Sequence, residues 1–183
     1  MSNHEDLRYP IGHADTSIEL TPQQRQSLIT DIRYLPSLLE LMVQNLDEAQ
    51  LNTPYRPGGW TVAQVVHHVA DSHMNALVRL KLALTEDNPQ IKPYEEQLWA
   101  ELEDVKHVPI NVSLTLLHAL HVRWVAILER LTEEQWQRTF FHPASKKITS
   151  IAQHLILYAW HGKHHLAHIE KLVEREGWPK PGF

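Results

Sequence analysis

The chain has no cysteine among its 183 residues. That absence excludes a disulfide framework, a thiolate zinc site and a cysteine nucleophile, so any metal must be held by nitrogen and oxygen. Glycine is scarce at six residues, and long stretches hold neither glycine nor proline. Such a pattern belongs to helices rather than to a many-turned β protein. A basic excess is also missing: the net charge is −5 with histidine neutral and the pI is near 6.3. Phosphate backbones require a positive footprint, so nucleic acid is not an expected partner. No window reaches the roughly 18 apolar residues that span a bilayer, and "MSNHEDLRYPIGHADTS" carries no basic segment followed by an apolar run. The expectation is a cytoplasmic protein with no membrane partner.

What is present is a helical rhythm. Residues 1–20 read as an irregular arm, broken by Pro10 and Gly12, and residues 21–183 as one domain large enough to bury its own core. "TPQQRQSLITDIRYLPSLLELMVQNL" opens with Thr21 at an N-cap and Pro22 at the first helical position, and Leu28, Ile32, Leu35, Leu39, Met42, Val43 and Leu46 form one apolar stripe. Pro36 should kink this helix without ending it. After the turn-rich "NTPYRPGGW", a second helix begins at "WTVAQVV". A connection of about two dozen residues holds a short helical piece near Tyr94 to Glu103. A third helix starts near Ser113 as N-cap, "FFHPASKKITS" breaks the chain, and a fourth helix runs from about Thr149 to Glu176. "LDEAQLNTPYRPGGWTVAQVV" and "LTEEQWQRTFFHPASKKITSIAQHL" echo each other, which suggests two helix pairs. The expected fold is all-α, a four-helix bundle with a long connection between helices 2 and 3.

Fourteen histidines are the chemical signal. "YAWHGKHHLAH", residues 158–168, holds four of them. At roughly 100° per residue, Ile148, Ile151, Leu155, Tyr158, Gly162, Leu166, Ile169 and Val173 mark the core side of helix 4. His154, His161, His165 and His168 run along its edge, and His164 faces away. His161 and His165 form the i, i+4 pair that lies wholly beside the core, while such a pair alone is more often a solvated or hydrogen-bonded surface than a ligand pair. A catalytic metal needs a third donor. In "VVHHVADSH", His73 sits near the centre of the apolar stripe and reads as a buried histidine satisfied by hydrogen bonds, His67 reads as exposed, and His68 lies on the flank with Ser72. Periodicity does not choose between His68 and His73, and His118 and His121 on helix 3 also face inward.

"GGWTVAQVVHHVADSHMN", with Trp-Thr at a helix start and a histidine eight residues after the Trp, resembles the first motif of the DinB-like metalloprotein superfamily. "YAWHGKHHLAH" resembles its second. "LRYPIG", "LNTPYRPGGW" and "VRLKLALTEDNPQIKPYEEQLW" are similar to the YfiT group of metal-dependent hydrolases within it. The resemblance covers nearly the whole chain. It implies one divalent metal per subunit, zinc foremost and nickel as the alternative, held by His68, His161 and His165, and it implies a homodimer.

Three neutral imidazoles with an open coordination position bring the pKa of a bound water toward about 7, which is hydrolytic chemistry on a small-molecule substrate. The expectation is therefore a metal-dependent hydrolase. Asp71, one helical turn from both His67 and His68, is a candidate to orient one of them, and the catalytic base is not identified. Two alternatives stand beside it: a thiol S-transferase, whose sulfur must arrive on a cosubstrate that Arg56, Arg79 or Lys163 would meet, and a non-enzymatic metal-binding stress module.

Overall fold

In a computed structural model, residues 7–179 are described; the first six positions of the predicted arm and the last four of the predicted domain lie outside them. Four long helices carry the fold: α1 (Pro22–Val43), α2 (Val62–Thr85), α3 (Ile110–Leu128) and α4 (Ile151–Glu176). Three of them start at a reciprocal capping box, Thr21/Gln24, Thr61/Gln64 and Ser150/Gln153. In each, the cap hydroxyl accepts from the backbone N–H of the third helical residue while the Gln side chain accepts from the cap N–H, which fixes where the helix begins.

The expected N-cap of the third helix is corrected. α3 starts three residues before Ser113, at Ile110 after Pro109, because proline has no N–H to leave unsatisfied and its fixed φ suits a helix entry. The connection before it holds two short helices, Glu96–Trp99 and Glu103–His107, where one piece is predicted. "FFHPASKKITS" is more than a break, since Thr139–His142 (β1) and Lys147–Ser150 (β2) form a small antiparallel hairpin. Ile148 therefore belongs to β2 and is 61% exposed, not a core residue of α4. The internal echo is real locally: Asp47/Gln50 and Thr132/Gln135 each cap a short helix that precedes the turn before α2 and the hairpin before α4. Pro36 sits inside a continuous α1.

Around the bundle the helices run α1, α4, α2, α3, so α1 and α2 face each other across one diagonal and α3 and α4 across the other. α3 is long and apolar enough to cross a membrane by length and composition, yet Leu117, His121, Trp124 and Leu128 bury its inner face in the bundle. The apolar core falls into two clusters. One gathers Leu80, Trp124, Ile151 and Leu155, the other Leu39, Val66, Leu117 and Leu172. Between them lies a layer of imidazoles. Gly162 stands at that level, where a Cβ would approach Leu35 Cδ2 to 2.4 Å, so the missing side chain lets α1 close on α4 beside His161.

Candidate metal centre

Three imidazoles meet where α2 faces α4. One ring nitrogen from each of His68, His161 and His165 falls within 4.8 Å of the others, and His68 Nε2 lies 3.3 Å from His161 Nε2. Two nitrogens bound tetrahedrally to one zinc at about 2.0–2.1 Å are separated by about 3.3 Å. The spacing of the pair thus fits a shared ion. His68 and His165 are buried, and His161 is half-buried at the floor of a cleft.

The protonation states follow from burial. Desolvation lowers the pKa of His68 to about 4 and drives those of His161 and His165 well down, with neighbouring histidines adding to the effect. All three are neutral at pH 7, the form in which imidazole binds a metal.

The tautomer of His161 is set from across the bundle. The Ile32 carbonyl of α1 only accepts, so His121 Nδ1 donates to it at 2.5 Å. His121 is neutral, its pKa lowered to about 4 by burial, and its bare Nε2 accepts from His73 Nδ1 at 2.9 Å. His73, also held neutral by burial, has then a bare Nε2 that accepts from His161 Nδ1 at 3.2 Å. One proton per ring leaves His161 Nε2 with a free lone pair facing His68. A chain through all four helices, Ile32, His121, His73 and His161, leaves that nitrogen free to act as a ligand, in the way that carbonyls and carboxylates set the tautomer of metal-binding histidines.

The second partner at the centre is Ser72, buried, with its Oγ 3.4 Å from His161 Nε2. Trp60 closes the other side, its ring 4.5 Å from that of His68. A cleft of about 610 Å³ opens over His161, Ser72, Tyr158 and Arg79. A separate pocket of about 140 Å³ opens over His165, His168, Arg8 and Arg56.

Several expectations change. His164 does not face away into solvent: it is 7% exposed because the N-terminal arm lies over it, with Tyr9 5.8 Å and Trp160 4.4 Å from its ring. The arm itself is pinned to α4 by Trp160 Nε1 donating to Gly12 O and His168 Nε2 donating to Arg8 O. His67 is not exposed either, at 6%, and shares a 2.8 Å hydrogen bond with Ser113 on α3, away from the three histidines. No hydrogen bond joins the Asp71 carboxylate to a histidine among the described residues. Burial, and then Asp104, raise its pKa to about 6. Lys163 is occupied by Asp31 at 2.6 Å.

The sequence places Ser72 on the flank with His68 and Tyr158 on the core side of α4, without assigning either a role at the site. For Ser72 the signal is a polar stripe on a buried face, shared with Arg79: the two follow His68 by four and eleven residues, about 40° and 20° away around the helix.

Comparison with known proteins places the chain among metal-dependent hydrolase relatives by sequence and fold. The DinB superfamily model matches residues 31–169. A Bacillus cereus protein named "Putative metal-dependent hydrolase" is 52% identical over 173 residues, 94% of this chain and 99% of that one. A Bacillus anthracis protein of the same name has the same identity and coverage. Among solved structures, YfiT from Bacillus subtilis, described as "a probable metal-dependent hydrolase with an unusual four-helix bundle topology", superposes with a TM-score of 0.93 at 46% identity, covering 95% of this chain and 99% of that chain. With a histidine cluster fit for a metal on a bundle of this topology, and relatives along nearly its whole length, the chain belongs to the DinB superfamily.

Proposed function

We propose that the protein is a hydrolase of small-molecule substrates that works with one divalent metal, zinc foremost and nickel as the alternative, held by His68, His161 and His165. The observation that carries this reading is the 3.3 Å approach of two neutral Nε2 atoms, from His68 on α2 and His161 on α4, the second of which lines an open cleft. A metal bound by three imidazoles keeps an open position and supplies Lewis acidity and an acidified water. The chain's residues do the rest. The imidazole chain holds His161 in its ligand tautomer, Trp60 walls one side from bulk water, and the Ser72 hydroxyl stands within reach of a group bound beside His161 Nε2. The cleft admits a substrate from the side of Tyr158 and Arg79. The uncovered apolar side chains Val112, Leu116 and Val122 along α3 support assembly as a homodimer.

The zinc-loaded protein is expected to hydrolyse a neutral activated ester such as 4-nitrophenyl acetate without added thiol. Activity should vanish on chelation and in His165→Ala. Equal rates for loaded and chelated protein would sink the hydrolase reading.

One observation favours a second reading, thiol transfer. The pocket on the His165 side is lined by Arg8 and Arg56 and, among the described residues, by no carboxylate, so the centre opens to two chambers, one of them suited to an anionic cosubstrate. Turnover that appears only with a low-molecular-weight thiol would select it.

A further inference from the structure

Arg79 is out of place for a structural residue. It lies on α2, two turns beyond Ser72, and is only 9% exposed. Its guanidinium donates to the Tyr158 hydroxyl at 3.1 Å, but its Nε is buried with no partner. Among the described residues it forms no ion pair. A buried cation held in no close ion pair is costly, and an anionic occupant of the cleft would offset that cost. Arg79 lines the cleft over His161, and its field reaches His154, His142 and Tyr158 around that cleft.

The occupant is defined by charge and distance. Glu96 also lines the cleft and feels Arg79, though burial is the larger influence on it and raises its pKa. Lys147 also lines the cleft but is exposed. One deep guanidinium fork matches the two oxygens of a single carboxylate, whereas a phosphate dianion would call for further buried cations. Tyr158 bridges the distance to the metal centre: its hydroxyl meets Arg79 and its ring lies 5.5 Å from that of His161.

We propose that Arg79 is a carboxylate-binding subsite of this cleft, and that the substrate is a small acid whose reacting carbonyl lies a few bonds from its carboxylate, beside His161. The substrate assignment rests on the hydrolase reading, whereas the subsite does not.

The test is equilibrium binding to chelated, metal-free protein, with N-acetylglycine as the acid and N-acetylglycinamide as its neutral counterpart. The acid should bind wild-type protein about tenfold tighter or more, the scale of a charged hydrogen-bonded pair. Arg79→Met should abolish that difference, and Arg79→Lys should keep part of it. Arg79→Met should also melt at the same or a higher temperature, because a desolvated charge has been removed. If that variant does not fold, Arg79→Gln serves for the same comparison. Equal binding of acid and amide by the wild type, or a preference that survives in Arg79→Met, overturns the subsite. Methyl phosphate binding tighter than the acid overturns its assignment to carboxylates. Since no turnover is measured, a failed subsite leaves hydrolysis untouched, and absent hydrolysis leaves the binding result standing.

Discussion

Replacing His161 with alanine should raise the zinc dissociation constant by roughly a hundredfold or more. Four-ligand structural zinc sites gain about 10–16 kcal/mol near neutral pH, so one ligand accounts for roughly 3 kcal/mol, or about two decades of affinity. Two distant substitutions grade the effect. His121→Phe touches no ligand atom, but it removes the acceptor that fixes His73 and, through it, the proton on His161 Nδ1. A loss of about tenfold or more is expected, as for other partners that orient a ligand histidine. It also strands the Ile32 carbonyl, so circular dichroism must accompany the measurement. His67→Ala, one position from His68 but bonded to Ser113, should leave zinc affinity unchanged. Competition against a chromophoric chelator measures all three. Unaltered affinity in His161→Ala would remove the site, and unaltered affinity in a folded His121→Phe would remove the imidazole chain as its support.

Acidification is expected to unfold the metal-free protein between about pH 6.5 and 4. His121 and His154 are both 2% exposed, and burial lowers their pKa values to about 4 and about 3. In the unfolded chain a histidine titrates near 6.5. As pH falls through that value the unfolded state takes up protons that the native state refuses, so stability drops at about 1.4 kcal/mol per pH unit for each residue. Their contribution is complete above pH 6.5. By pH 4 it has fallen by roughly 3 kcal/mol for each, together a large share of the 5–15 kcal/mol that typically holds a domain. The other buried histidines act in the same direction. Asp71 opposes them, because its raised pKa favours the fold as it is protonated below about 6. Thermal melts of chelated protein at pH 8, 6, 5 and 4 should show a steep decline below 6, and His154→Leu should flatten it. A melting temperature that does not move between pH 8 and 5 would contradict the burial of neutral imidazoles.

The bundle was legible because its helices carry long apolar stripes and standard caps. Thr21, Thr61 and the Gln three residues after each mark the starts of α1 and α2 in the sequence itself. The hairpin was not, because four-residue strands containing His142 and Lys147 are too short to show a period of two. At the site, face arithmetic separates His161 and His165 from the outer side of α4, but it cannot see that the N-terminal arm covers His164, since periodicity describes one helix and not what lies on it. The same limit applied to α2. His73 reads correctly as a buried, hydrogen-bonded histidine, yet its partners come from α3 and α4, 48 and 88 residues away. His68 rested on resemblance rather than periodicity. Arg79 stands in the sequence beside Arg56 and Lys163 as a cation that would meet a cosubstrate, and its burial is what sets it apart from them.

X-ray absorption at the zinc edge of the stoichiometrically loaded protein tests the three-histidine centre most directly. Three imidazole nitrogens at about 2.0–2.1 Å are expected, with one or two exchangeable oxygens completing the shell. Four imidazoles, an all-oxygen shell, or a spectrum unchanged in His161→Ala would contradict a three-histidine centre.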